Sequence, residues 1–227
     1  MSSAEYAPML RLGNVDGNPH LGVYCAASED IALVSEPVDD VVVSDLTETL
    51  GVEVILTTVA GSSVVGSLAS LNSNGIVMSS LAEEHEIARM PSSLNIGFMP
   101  DRINAAGNNI LVNDKAACVH PLASKGTVKM LEDVFEVEVH KRSIAGIDTV
   151  GSACIVTSKG LLCHPRTGED ELKSLSELFG VPATLATLNY GTAYLGACAV
   201  ANSKGAYVGA RSTPIELGRV EDGLGLY

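Results

Sequence analysis

Cysteine and histidine are the side chains of this sequence that could act as nucleophiles, bases or metal ligands. The 227 residues contain five of each. The arrangements nearest to a metal site are Cys118-Val119-His120 and Cys163-His164, and neither spacing matches a standard zinc pattern. An odd number of cysteines without a Cys-x-x-Cys pair also argues against a disulfide framework. We therefore expect no metal centre.

A glycine-rich stretch, residues 60–67, is a second candidate for chemistry. Its pattern of Gly, four residues and Gly occurs in the phosphate-binding loop, but that motif requires Lys and then Ser or Thr after the second Gly. Here Ser67 follows Gly66, so nucleotide binding is not expected. The stretch is more informative because it recurs, with a worn copy that keeps only the second Gly at residues 102–108 and fuller copies at residues 16–22, 145–152 and 190–196.

Charge and composition limit the possible partners. The net charge is −13, from 27 acidic and 14 basic residues. A nucleic-acid backbone requires a basic stripe, which this sequence lacks, so the charge suits a basic protein partner better. Most of the acids are expected to serve solubility. The hydrophobic fraction of 46% predicts a folded chain.

The N-terminal segment and the apolar runs bear on location. Residues 1–8 have neither a basic start nor an apolar stretch, so they do not resemble a signal peptide. No apolar run approaches the roughly 20 residues of a membrane span. Together these features predict a cytoplasmic protein.

The recurring glycine marks a repeat. The second glycine of each copy follows the previous one by 41 to 45 residues, and these module glycines are Gly22, Gly66, Gly107, Gly151 and Gly196. Self-similarity at a period of 20–50 residues is typical of a repeat architecture.

Each module glycine is followed by the same predicted elements. In the first copy, the apolar runs 23–26 and 31–34 flank a polar turn, which predicts a β-hairpin. Apolar residues at helical spacing come next, and another strand follows the first four helices. The predicted helices are residues 45–50, 124–136, 169–179 and 216–223, with a short polar version at residues 81–87.

The position of the first strand favours a ring. No strand follows the fifth helix, whereas residues 9–12 form a strand before the first glycine loop. An open solenoid would need polar capping units, and the terminal units look as apolar as the others. We predict one α/β domain of five pseudo-symmetric modules in a closed ring, a β/α propeller, with approximate modules 9–51, 52–93, 94–136, 137–180 and 181–227.

Several stretches of the sequence match one known family, namely residues 17–26, 58–68, 72–75, 105–111, 120–121, 150–153, 164–165 and 213–219. On these motifs the chain resembles archaeal translation initiation factor 6, over about residues 9–225. The resemblance implies a pentein fold, five α/β modules around a pseudo-fivefold axis. Residues 1–8 precede the usual start of the family and are predicted to be either a disordered extension or the product of an upstream start codon.

The resemblance also implies a function. Members of the family bind the large (50S) ribosomal subunit on its intersubunit face and prevent its association with the small subunit, in initiation and ribosome biogenesis. Their principal contact is ribosomal protein uL14, beside the sarcin–ricin loop of the rRNA. Release involves a translocase-like GTPase and a Shwachman–Diamond-type protein. The family implies no catalysis and no cofactor, and we expect a monomer.

The family's contact positions lie just after the module glycines, on one face of the ring. Asn108 is identical to the family residue, and Ser67 and Ala153 occupy matching positions where eukaryotic relatives have larger side chains. Loop geometry adds five neighbours to the predicted ribosome-binding site, namely Ser62, Ser63, Asn109, Asp148 and Ser152.

Two rival hypotheses remain open at this point. Some penteins are guanidine-modifying enzymes, deiminases or amidinotransferases, and Cys198 could be such a nucleophile with a histidine as base. Against this, Cys25 and Cys154 share one offset from their module glycines, as do His120 and His164. Repetition at equivalent positions is what a structural role predicts. The third hypothesis, a scaffold ring with no ribosomal role, is separated by cosedimentation with large subunits.

Overall fold

The computed structural model describes residues 9–227. The predicted residues 1–8 extension lies outside the described residues. The described chain folds into five three-stranded sheets with helices between them. The strands are β1 Leu10–Gly13, β2 Cys25–Ala27, β3 Ile31–Val34, β4 Glu53–Leu56, β5 Ala69–Leu71, β6 Gly75–Ser79, β7 Asn95–Met99, β8 Ile110–Val112, β9 Ala116–Val119, β10 Glu138–Lys141, β11 Ile155–Val156, β12 Leu161–Cys163, β13 Ala183–Leu185, β14 Ala199–Ala201 and β15 Ala206–Gly209.

Two kinds of α-helix alternate along the chain. The first kind has four residues and directly precedes a hairpin: α1 Leu21–Tyr24, α3 Val65–Leu68, α5 Ala106–Asn109, α7 Val150–Ala153 and α9 Leu195–Cys198. The second kind follows the hairpin and has eleven residues except in the second module: α2 Asp40–Leu50, α4 Glu84–Ile87, α6 Lys125–Phe135, α8 Glu169–Phe179 and α10 Pro214–Leu224.

All five sheets have the same topology. The middle strand pairs antiparallel with its hairpin partner and parallel with the strand that follows the helix; β3, for example, pairs with β2 and β4. In the fifth sheet this parallel position is taken by β1, with Leu10 opposite Ala206. The first strand of the chain therefore completes the last module, and the prediction of five α/β modules is confirmed.

The sheets also define the residue at which each module begins. Each sheet groups a hairpin with the strand after its helix, whereas the units drawn from the sequence begin at the strand before the glycine loop. The third sheet, for example, joins β8, β9 and β10. A module is therefore named here by its sheet, and modules one to five hold the hairpins that begin at β2, β5, β8, β11 and β14.

The short helices correct the sequence prediction at the module glycines. We predicted that residues 23–26 form a strand, but α1 continues to Tyr24 and the strand begins at Cys25. The module glycine is the second residue of each short helix, and its missing side chain gives room for the preceding module. A Cβ on Gly66 would overlap the backbone carbonyls of Gly22 and Cys25.

These close approaches run from module to module and return to the first. Gly107 faces the carbonyl of Gly66, Gly151 that of Gly107, and Gly196 that of Gly151. Gly22 faces the carbonyl of Gly196. The inner hairpin strands β2, β5, β8, β11 and β14 make neighbour contacts in the same cyclic order.

Helix caps explain where the long helices begin and end. Helix α2 starts five residues before the predicted position because the Asp39 side chain accepts a hydrogen bond from the Val41 N–H. Helix α8 has the predicted bounds and stops at Gly180, which has the left-handed conformation of a C-cap. The long helices pack between neighbouring sheets; α2, for example, contacts β4 and also β1 and β15 of module five.

The modules have two distinct ends. At one end lie the short helices and the turns before them, and Glu86 near the start of α4 accepts a hydrogen bond there from the Gly61 N–H. At the other end lie the hairpin turns, where Asn72 donates to the carbonyl of Phe135 at the end of α6. We call these the loop face and the hairpin end. Among residues 9–227, no helix is long and apolar enough to cross a membrane.

Candidate functional site on the loop face

The two glycines of the recurring pattern do different work. Ala60 and Gly61 both have positive φ, 56° and 66°, and Val59 pairs with Ser62 across them, as in a type I′ turn. Gly61 has open space around it, so glycine is favoured here because it readily adopts a positive φ. The module glycine Gly66 is needed for a different reason, because the backbone of the preceding module leaves no room for a side chain. Equivalent positive-φ pairs are Asp16-Gly17 and Ala145-Gly146, whereas in module five three consecutive residues, Asn189, Tyr190 and Gly191, have positive φ and Leu188 pairs with Thr192 across them.

The third module departs from this pattern, as its worn sequence indicates. A 3-10 turn, Asp101–Ile103, replaces the type I′ turn. Beside it lies an open cavity of about 520 Å³, lined by Pro100, Arg102, Ile103, Leu122, Ser124 and Thr127.

The residues directly after the module glycines form a ring of partly exposed, uncharged side chains. They are Val23, Ser67, Asn108, Ser152 and Ala197. Two of them, Val23 and Ala197, were not among the predicted contacts, although the same offset would have found them.

Asn108 and Asn109 are neighbours with different roles. Asn109 is 5% exposed, and its amide donates to the carbonyls of Ile103 at 3.1 Å and Ala105 at 2.8 Å. The Asn108 side chain is partly exposed and makes no hydrogen bond among residues 9–227, so its donors and acceptor are available to a partner.

The predicted serines differ in the same way. Ser152 donates its hydroxyl to the carbonyl of Thr149 at 2.7 Å, and Ser62 accepts weakly from the Val64 N–H at 3.4 Å. Within the described part of the chain, the hydroxyls of Ser63, which is exposed, and Ser67, which is partly exposed, make no hydrogen bond.

The last two predicted residues lie at different depths. Ala153 has 0% exposure and packs in the core of module four, so its side chain does not reach the surface. Asp148 is exposed, with its Oδ2 3.9 Å from Nε2 of His120. The loop face therefore brings together Asn108, Ser67, Ser152, Ser62, Ser63 and Asp148, whereas Ala153 and Asn109 support it from beneath.

The cysteine proposed for the rival enzyme function is buried. Cys198 has 0% exposure, and burial raises its pKa to about 11, although Asn189 and Thr192 beside it act in the opposite direction. Burial likewise raises the pKa of Cys25 to about 12. Because the thiolate is the nucleophilic form, this environment disfavours attack on a substrate.

The repeated histidines have one structural role. Nδ1 of His120 accepts from the Leu122 N–H at 3.0 Å, and Nδ1 of His164 accepts from the Arg166 N–H at 3.1 Å. Burial, together with the charge of Arg166, lowers the pKa of His164. Both histidines thus close equivalent turns, as their shared offset predicted. No group of three metal-ligating side chains occurs among residues 9–227.

Sequence reasoning missed two buried carboxylates and an exposed aromatic residue on this face. Glu86 is 0% and Glu216 6% exposed, while Tyr190 is 79% exposed. Burial alone would raise the pKa of Glu216, but hydrogen bonds from Thr213, Gly191 and Thr187 outweigh it and lower the pKa. The capping-box spacing from Thr213 to Glu216 could have signalled this carboxylate.

A family model and several known proteins identify the same family for this chain. A model of the eIF-6 family matches residues 10–223. The chain is 41% identical to translation initiation factor 6 of Methanosarcina mazei over 220 residues, which cover 96% of this chain and 99% of that protein. It is 39% identical to translation initiation factor 6 of Haloquadratum walsbyi, over 92% of this chain and 93% of that protein. It is 38% identical to translation initiation factor 6 of Thermoplasma acidophilum, over 95% of this chain and all of that protein.

Proposed function

Because the chain belongs to the eIF-6 family, whose curated relatives are named translation initiation factors, we propose that it binds the large (50S) ribosomal subunit and sterically prevents joining of the small subunit. The proposed binding surface is the loop face. The observation that carries this choice is Asn108, a partly exposed amide without an internal hydrogen bond in the described chain, among the uncharged side chains that directly follow the module glycines.

Electrostatics favours a protein as the principal contact. The net charge of −13 repels rRNA phosphates and attracts a basic protein surface. Acids such as Glu132, Asp133 and Glu177 lie exposed on the long helices, whereas the side chains directly after the module glycines are uncharged. The family resemblance names the partner, and we propose ribosomal protein uL14, beside the sarcin–ricin loop, as the contact.

The family resemblance supplies the rest of the proposed cycle. We propose that the factor acts as a monomer in the cytoplasm, in initiation and ribosome biogenesis. Its release would involve a translocase-like GTPase and a Shwachman–Diamond-type protein. Steric exclusion requires no bond to be made or broken, so the proposed function includes no catalysis.

Cosedimentation tests the proposal. The protein is centrifuged with large subunits from its own organism, and the yield of joined ribosomes is measured after small subunits are added. We expect it to pellet with large subunits and to lower the yield of joined ribosomes. If it stays in the supernatant across a range of salt concentrations, the proposed function is wrong.

The Asn108→Ala variant locates the surface. Losing one or two hydrogen bonds at a protein interface costs about 1–3 kcal/mol, so we expect roughly 10-fold weaker binding or more with an unchanged melting temperature. Glu132→Ala, on the exposed face of α6 in the same module, is the matched control and should bind as the wild type does. A lower melting temperature for Asn108→Ala would instead assign Asn108 to the fold.

One further variant addresses the rival enzyme function. The wild type should not hydrolyse arginine derivatives, and Cys198→Ser should keep subunit binding if it folds. Turnover that Cys198→Ser abolishes would establish the enzyme hypothesis instead.

A further inference from the structure

We infer that Glu86 and Glu216 are positioning residues of the proposed ribosome-binding face, each holding a positive-φ turn in the shape that the large subunit contacts. This inference rests on the proposed function and extends it to residues that do not themselves reach the surface. Both belong to a capping box. Glu86 follows Glu83, the N-cap residue of α4, by three residues, and Glu216 follows Thr213, the N-cap residue of α10, by three residues.

Glu216 is surrounded by hydrogen-bond donors. Its Oε1 accepts from the Gly191 N–H at 2.8 Å and the Thr187 hydroxyl at 3.0 Å. Its Oε2 accepts from the N–H groups of Thr213 at 2.7 Å and Tyr190 at 3.2 Å, and from the Thr213 hydroxyl at 3.0 Å. Five donors on one carboxylate join the start of α10 to the turn that precedes α9.

Glu86 repeats this arrangement in module two. Its Oε1 accepts from the Gly61 N–H at 2.9 Å and from the Thr58 hydroxyl. Its Oε2 accepts from the N–H groups of Ala60 at 2.9 Å and Glu83 at 2.8 Å. A capping box requires only the bond to the N-cap residue, so the bonds to the distant turn are an additional feature.

The turns need this support. Ala60, Asn189 and Tyr190 have φ of 56°, 48° and 64°, and a residue with a side chain is strained in this region of backbone conformation. The carboxylates offset that strain by binding turn N–H groups. Glu86 binds those of Ala60 and Gly61, and Glu216 binds those of Tyr190 and Gly191. In module four the carboxylate of Glu171 accepts from the Ala145 N–H at 3.2 and 3.3 Å and lies 3.8 Å from Nη2 of Arg142. It has fewer hydrogen bonds to its turn among residues 9–227, so the turn is held more weakly there.

The turn held by Glu216 presents a contact side chain. Tyr190 is 79% exposed, and tyrosines are enriched in the cores of protein interfaces. The same turn is tied to module one, since the Asn189 amide donates to the carbonyl of Pro19 at 2.7 Å. Tyr190 therefore stands on a fixed base on the same face as Asn108, and the partner that we assign to it is the large subunit.

Glutamine is a sharp probe because it preserves size and removes the acceptor pattern. Each oxygen of Glu216 faces at least two donors, so either orientation of a Gln amide directs its NH₂ group at N–H or hydroxyl donors. Glu216→Gln should thus free the turn without a cavity. Glu221→Gln, at an exposed position of the same helix, removes the same charge and is the matched control.

Amide exchange, the affinity of single variants and the affinity of a double variant test the inference. All three are measured below the melting temperature of every variant. Glu216→Gln should lose amide-exchange protection at Gly191 and bind large subunits roughly 10-fold more weakly, while Glu221→Gln behaves as the wild type. Tyr190→Ala should also weaken binding. Because Glu216 acts through the Tyr190 turn, the double variant should bind much as Tyr190→Ala does, and this non-additivity is not expected of a general loss of stability.

The outcomes separate this inference from the proposed function. If the wild type does not bind large subunits, both fail. If the wild type binds and Glu216→Gln binds equally well, only the inference fails. Should Glu216→Gln not fold, Tyr190→Ala decides, because its exposed side chain can be removed without disturbing the core; wild-type affinity for Tyr190→Ala would overturn the inference.

Discussion

Replacing Gly107 by alanine probes the contact on which the cyclic arrangement of the modules depends. A Cβ at this position would lie 2.6 Å from the carbonyl oxygen of Ala69 and nearer still to that of Gly66. Non-bonded heavy atoms in van der Waals contact normally lie about 3.5 Å apart. To restore that distance at the Gly66 carbonyl, helices α5 and α3 would have to separate by about 1.5 Å, and the obstacles are backbone atoms that no rotamer change can move.

The expected cost follows from this geometry. Overpacking a core typically costs about 1–3 kcal/mol, occasionally more. The cyclic contacts prevent one interface from opening without straining the others, so we expect about 3 kcal/mol. For a domain of this size, each kcal/mol lowers the melting temperature by about 2–4 °C, which predicts a decrease of about 6–12 °C for Gly107→Ala.

Gly218 is the matched control because alanine there should have the opposite effect. It lies inside α10, and no atom lies within 4 Å of the position that an added Cβ would occupy. Alanine is favoured over glycine in a helix by about 1 kcal/mol. Calorimetry and urea unfolding measure both variants. The predicted clash is refuted if Gly107→Ala melts within about 2 °C of the wild type, a margin of about 0.5–1 kcal/mol, while Gly218→Ala melts higher.

Three further predictions concern the hairpin end, the buried carboxylates and the thiols. Asn113→Ala removes the amide that donates to the carbonyls of Thr157 and Phe179 in the next module, so urea unfolding should show a loss of about 2–4 kcal/mol; an unchanged midpoint would contradict this. Hydrogen bonds outweigh burial and lower the pKa of Glu216, so its stabilising effect is present above the unfolded pKa of about 4.3 and is lost as pH falls through the folded value. Glu216→Gln should therefore flatten the decrease in stability below about pH 5, and an equally steep decrease would exclude this role. Burial raises the pKa of Cys25 to about 12, so iodoacetamide should alkylate it only after unfolding, and mass spectrometry of the native protein would reveal any faster reaction.

The repeat was predictable because residues with specific backbone or packing roles recur at equivalent positions of each module. The module glycines mark close approaches that only glycine permits, so they are visible in the sequence. The helix at Glu169–Phe179 has a clear apolar periodicity and ends before Gly180, and its bounds were predicted correctly.

The short helices were not predictable from pattern. A stretch such as Val65–Leu68 makes one helical turn, which is too short to show a period of 3.6 residues. Its first residues belong to the recurring glycine pattern and its last residue runs directly into the apolar residues of Ala69–Leu71, so the segment looks like the end of a loop followed by a strand. Only the cyclic packing around the module glycine selects the helix.

The same short helices limited the prediction of the site. In a helix each residue turns by about 100° from the one before, so the first residue after the module glycine faces outward and the second faces inward. Asn108 and Ser152 are therefore partly exposed, whereas Asn109 and Ala153 are buried. Treating the segment as a loop could not distinguish these neighbours.

The two ends of the modules have different roles, because contacts at the hairpin end hold the modules together and the loop face is the proposed binding surface. At the hairpin end, the amides of Asn72, Asn113 and Asn202 each donate to two carbonyls in the following module, so their capacity is used in holding modules together. On the loop face, the side chains of Asn108 and Ser67 make no such bonds in the described chain. Substitutions at the hairpin end should therefore alter stability first, and those of the outward residues on the loop face should alter binding first. A class of variants that changed both together at either end would show that the two roles are not separated.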